Sequence, residues 1–97
     1  MSRNGKTFRM ILRSVADASE GKNIVFLTPT RAAADAAFRM VTLFRPVLSG
    51  ISEIMQGRLS FIGGGSLTVL PLDEYIYNEN RGKYRGVEGL EIRTDCS

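Results

Sequence analysis

The chain has 97 residues, 43% of them hydrophobic and 24% charged, with a net charge of +3. That length accommodates one layered domain around one core, residues 1–97, and leaves no room for two catalytic lobes. The sequence contains no histidine and one cysteine, Cys96, which excludes Ser–His and Cys–His nucleophilic pairs, a histidine-held metal and an internal disulfide.

No run of eighteen apolar residues is present, and the N-terminus lacks the apolar stretch and cleavage site of a signal peptide. With a lone cysteine, these features lead to the expectation of a protein of the reducing cytoplasm with no membrane partner. The mildly basic balance permits a nucleic-acid partner without requiring one.

A first helix is predicted from Thr7 to about Glu20, with Phe8, Ile11, Leu12 and Val15 at the i, i+3, i+4, i+7 spacing of one apolar face. Gly21 is a helix stop. Ile24-Val25-Phe26-Leu27 is a continuous apolar run with β-branched and aromatic residues, which predicts a buried strand in a parallel sheet. Thr30 is a candidate N-cap for a second helix, Arg31 to about Arg45, whose stripe is Ala34, Ala37, Phe38, Val41 and Phe44. Ile51, Ile54 and Met55 are compatible with one helical turn. The runs 58–62 and 66–70, joined by Gly63-Gly64-Gly65, predict a β-hairpin. The polar stretch 73–89 is expected to be a long loop with room for a helical turn, and Leu90–Asp95 a last strand. The expected fold is a small α/β sheet, of two or three layers, with two helices and an inserted hairpin. Its core is predicted to include Ile11, Leu12, Val15, Ile24, Phe26, Ala37, Phe38, Val41, Phe61, Leu67, Val69 and Ile92.

Ser2-Arg3-Asn4-Gly5-Lys6-Thr7 stands at the mouth of the first helix. Gly-Lys-Thr there has a mechanical meaning: helix N-terminal N–H groups receive phosphate oxygens, the lysine reaches terminal phosphates and the threonine hydroxyl holds Mg²⁺. Further on come Ile24 to Arg31, Gly65-Ser66-Leu67-Thr68-Val69, and Arg85-Gly86 ten residues before Asp95. In this order the set resembles the N-terminal ATPase region of phage terminase large subunits, the DNA-packaging motors, and spans almost the whole chain. The resemblance implies a partial P-loop fold and ATP and Mg²⁺ as cofactors. It implies that Lys6 contacts the β- and γ-phosphates, with Gly5 beside it. Thr7 would contact Mg²⁺ directly, Arg3 the γ-phosphate, and Asp95 the metal through water.

The pattern also departs from that family. The strand ahead of the phosphate loop has no counterpart before Met1, and only Asn4 separates Arg3 from Gly5. Cys96 stands where the family places the glutamate that activates water, and a thiol is a poor general base in its stead. Leu90-Glu91-Ile92-Arg93-Thr94 alternates, unlike a central parallel strand, so an edge strand is expected. Leu70-Pro71-Leu72-Asp73-Glu74 is a competing metal and base pair, weakened by Pro71. Arg81, Lys83, Tyr84 and Arg85 interleave cations with an aromatic ring, a pattern that suits single-strand nucleic acid.

The expectation is therefore a small phage-type derivative of a terminase-like ATPase domain that does not hydrolyse ATP alone. It would act by binding a protein partner, as a regulator, decoy or inhibitor of a nucleic-acid machine. Two alternatives stay open: a piece of an ATP-dependent packaging or helicase-like motor, and a nucleic-acid-binding module.

Overall fold

A computed structural model describes residues 3–43, 50–87 and 89–95. In chain order the elements are α1 (Arg3–Ser19), β1 (Asn23–Thr28), α2 (Arg31–Leu43), β2 (Ile51–Met55), β3 (Arg58–Phe61), β4 (Ser66–Pro71), α3 (Leu72–Asn80) and β5 (Leu90–Thr94). The chain is an α/β protein with a five-stranded mixed sheet in the order β2-β3-β4-β1-β5. β1 runs parallel to β4 and β5, while β2, β3 and β4 form an antiparallel meander.

β1 has five consecutive buried residues, as its unbroken apolar run predicts, because it has a parallel neighbour on each side and helices on both faces. Ile24 and Phe26 lie in register with Leu67 and Val69. All four pack with Ile11, Val15 and Ala18 of α1 and Ala34, Ala37 and Val41 of α2. Val25 and Leu27 point the other way, join Leu70, and meet Tyr75 of α3 and Leu90. The expected core residues Leu12 and Phe38 are only partly buried at its margin.

Thr30 caps α2: its hydroxyl oxygen accepts from the Ala33 N–H at 3.1 Å, which satisfies one of the orphan donors of the first turn. The hairpin forms as expected, with Arg58 opposite Thr68 and Ser60 opposite Ser66. Gly64 supplies a positive φ of 96°. Gly65 is needed for a different reason: a Cβ there would collide with the backbone carbonyls of Ala18 and Lys22, where the hairpin crosses the end of α1.

Four expectations are corrected. The first helix begins at Arg3, so Gly5, Lys6 and Thr7 lie inside it; its first four N–H groups need no intrahelical acceptor, so Asn4-Gly5 is tolerated there. Residues 51–55 form a strand rather than a helical turn, because the two-residue turn Gln56-Gly57, with Gly57 at φ +76°, folds them back on β3. The stretch from residue 73, read as a loop with room for one helical turn, instead opens with the nine-residue helix α3. Asp73 and Glu74 occupy its first turn, where the helix dipole favours carboxylates. The β5 alternation has the opposite sense to the predicted core: Ile92 is 39% exposed, while Arg93 turns toward α1. Phe44, Arg45, Pro46, Ser49 and Cys96 lie outside the described residues.

Candidate functional site

The C-terminal ends of β1 and β5 face the N-terminal part of α1. The Asp95 N–H donates to the Leu27 carbonyl at 2.9 Å, which extends the β1–β5 ladder one residue past β5 and fixes the Asp95 backbone. Thr7, in the second turn of α1 and only 8% exposed, is fixed by the packing of Ile11 and Val15 on the same helix. Its hydroxyl donates to the Asp95 carboxylate, at 3.2 Å from Oδ2 and 3.3 Å from Oδ1. The two residues are 88 positions apart. Both contacts are longer than the usual O–H···O distance of about 2.7–2.8 Å, so the pair is loose, with two carboxylate oxygens and a hydroxyl sharing one corner.

That donor set suits Mg²⁺, a hard cation that takes one or two protein oxygens and completes its octahedron with water and phosphate oxygens. Among the described residues no cluster of three or more His, Cys, Asp or Glu is found. The N-terminal end of α1 adds favourable electrostatics for an anion. Gly5 is half-buried and Lys6 exposed in the turn before Thr7. Only the backbone of Arg3 falls within the described part, so its expected phosphate contact has no described geometry.

The competing pair Asp73-Glu74 is used otherwise. The Asp73 carboxylate accepts from the Glu74 N–H at 2.8 Å, and Glu74 forms an ion pair with Arg31 of α2.

The expected nucleic-acid residues fall in the turn 81–87 after α3, on the sheet face opposite α1. Arg81 lies over the Tyr77 ring, 5.4 Å from its centroid, and donates to the Tyr77 hydroxyl at 3.2 Å. Tyr84 stacks on Tyr75 with centroids 5.3 Å apart, and a hydrogen bond to Glu79, with burial, pushes the Tyr75 phenol pKa up. Arg85 bends back over Gly82. Lys83 and Tyr84 line a groove of about 490 Å³, with Val25 and Leu70 among its lining residues and Arg58 of β3 also on its wall. Sequence reasoning missed Arg58, since only the register of β3 with β4 brings it there.

A second missed group is the network of Arg93. Its guanidinium reaches Asp17 at 2.5 Å, the Ser14 hydroxyl at 3.2 Å and Glu91. The hydrogen bond from Arg93 holds the Asp17 carboxyl below its ordinary value, against a smaller desolvation effect. Burial opposes the Arg93 charge, and the hydrogen bonds to Asp17 and Glu91 outweigh it, so its pKa lies above normal. This network clamps edge strand β5, and with it Asp95, to α1. The i, i+2 placement of Glu91 and Arg93 was the available signal; it marked an edge strand but not which face carries the charge.

No helix among the described residues is long and apolar enough to cross a membrane. Comparison with protein family models, curated proteins and solved structures found no match for this chain.

Proposed function

We propose that the chain is a cytoplasmic, phage-type derivative of a terminase-like ATPase domain that binds Mg²⁺-nucleotide weakly and acts through a protein partner. The observation that carries the nucleotide half is the hydrogen bond between Thr7 and Asp95. A helix-borne threonine of a Gly-Lys-Thr meets an aspartate one residue past a parallel strand, the pairing that the motif resemblance implies. When bound, the metal would neutralise phosphate charge. Thr7 would give it a direct oxygen ligand, Asp95 would hold its water shell, and Lys6 would approach the terminal phosphates.

Positioning and charge neutralisation are most of phosphoryl-transfer catalysis, but a group must still orient the attacking water. Cys96 follows Asp95 where that glutamate would stand, which supports binding without turnover. The partner-binding half rests on this deficit together with the partly covered second face of the sheet.

Isothermal calorimetry of Mg²⁺-ATP on the wild type and Lys6→Ala tests the reading. It expects saturable binding that Lys6→Ala weakens by about tenfold or more, equivalent to about 1.4 kcal/mol, with no ATP turnover by the isolated chain. Absence of binding at millimolar ATP would overturn the nucleotide half. Turnover abolished by Lys6→Ala would instead favour a self-sufficient motor piece.

A further inference from the structure

The groove between the β3–β4 hairpin and the turn 81–87 lies on the face of the sheet that α3 covers only in part. Val25 and Leu70 are buried among its lining residues and Leu90 is half-buried. Met55 and Val87, on its rim, are 54% and 44% exposed. Four charged residues line it: Arg31, Arg58, Lys83 and Glu74. Glu74 is engaged by Arg31. Arg58 and Lys83 are exposed and form no ion pair among the described residues. Arg81 and Arg85 flank Lys83 on the same turn, and residues 81–87 contain no acid. The groove thus joins a mixed lining, in which Met55, Val87 and Leu90 stand beside Asn23, Ser66 and Thr68, to a positive wall that the described residues leave uncompensated.

Two kinds of chain could answer that charge. Single-stranded nucleic acid needs aromatic faces on which bases stack. Here Tyr84, the aromatic ring among the lining residues, already stacks on Tyr75, and Tyr77, which lies under Arg81, is outside the lining. Aliphatic side chains of a peptide match such a surface, with hydrophobic burial supplying affinity and complementary charge supplying register. The groove volume suits a few side chains and not a whole domain.

We propose that this groove docks a short acidic segment of a partner protein, its aliphatic side chains against Met55, Val87 and Leu90 and its carboxylates against Arg58 and Lys83. The proposal rests on the partner-binding half of the proposed function and is independent of the nucleotide half.

The test uses phage-displayed random dodecapeptides selected on the immobilised full chain, with counter-selection on the Arg58→Glu/Lys83→Glu variant. Recovered peptides, and oligo(dT) in parallel, are then titrated by fluorescence anisotropy. Both side chains are exposed, so the variant should retain its circular dichroism spectrum; Arg58→Ala/Lys83→Ala replaces it if it does not. The expected result is peptides rich in Asp, Glu, Leu, Ile and Val that bind the wild type at least about tenfold more tightly than the charge-reversed variant. Their binding should shift the methyl resonances of Met55, Val87 and Leu90. Failure to recover peptides, peptides indifferent to the two substitutions, or basic peptides would overturn the proposal. So would oligo(dT) binding that the double variant abolishes, which would assign the groove to nucleic acid. Mg²⁺-ATP binding measured on the same samples separates the two readings, since losing one leaves the other intact.

Discussion

The two faces of the sheet are built from the same strands and differ sharply. On the α1–α2 face, Ile24, Phe26, Leu59 and Leu67 are wholly buried, and twelve buried residues among those described form one cluster. On the α3 face, three buried residues among those described form the cluster, and α3 buries none of its own side chains. Leu72, Ile76, Tyr77 and Val87 stay between 44% and 58% exposed. Close packing makes the first face sensitive to every methylene, whereas the second leaves room for a ligand. The first face therefore carries the stability, and the second is where sequence can be spent on recognition. The Thr7–Asp95 corner belongs to the first: α1 packing sets the position of Thr7, and the Leu27 carbonyl that of the Asp95 backbone.

Substitutions on the two faces can break that contrast. Phe26→Ala should have the largest effect, a loss of about 3–5 kcal/mol, because it removes a wholly buried ring from the close-packed face. Urea melts should show the lowered midpoint; a loss below about 1 kcal/mol would mean that this face is not the stabilising one. Gly65→Ala follows, at about 1–3 kcal/mol, since a methyl group there meets two backbone carbonyls that cannot easily move. In contrast, Arg58→Glu/Lys83→Glu on the open face should stay within about 0.5 kcal/mol of the wild type in the same melts.

The pH dependence sharpens the picture at the clamp of β5. Asp17 has a folded-state pKa below its ordinary value of 3.8, because of Arg93. A depressed carboxylate pKa stabilises the fold above the unfolded value, and the contribution is lost as pH falls through 3.8 toward the lower folded value. Stability of the wild type should thus drop in that acid window, and Asp17→Asn should flatten this part of the profile. An unchanged profile in Asp17→Asn would show that the clamp is not coupled to folding.

The legible parts of the fold were those with strong internal periodicity. The apolar stripe of α1, the unbroken run of β1, and the Thr30 cap with its alanine-lined helix each announce themselves within a dozen residues. β2 did not, because four of its five residues are exposed and no face alternates; its strand character comes from pairing with β3. α3 did not, because a nine-residue helix with no buried side chain has little amphipathic signal. Ile92 looked like core and Arg93 like surface. The reverse holds because α1 offers Asp17 and Ser14 on one side of β5. At the candidate site, the family resemblance picked out Thr7 and Asp95, while nothing local links residues 88 positions apart. Lys83 and Tyr84 stood out by composition, but Arg58, which shares their groove, carried no signal before the sheet register was known.

The most direct test of the central claim is the metal dependence of nucleotide binding. ATP is titrated by calorimetry into the wild type and Thr7→Val, each with Mg²⁺ and with EDTA. The account predicts binding to the wild type with Mg²⁺, weakened by about tenfold or more in EDTA. It predicts that Thr7→Val loses most of that difference, because the hydroxyl beside Asp95 is gone. Equal binding with and without Mg²⁺, or a metal dependence that Thr7→Val leaves intact, would contradict it.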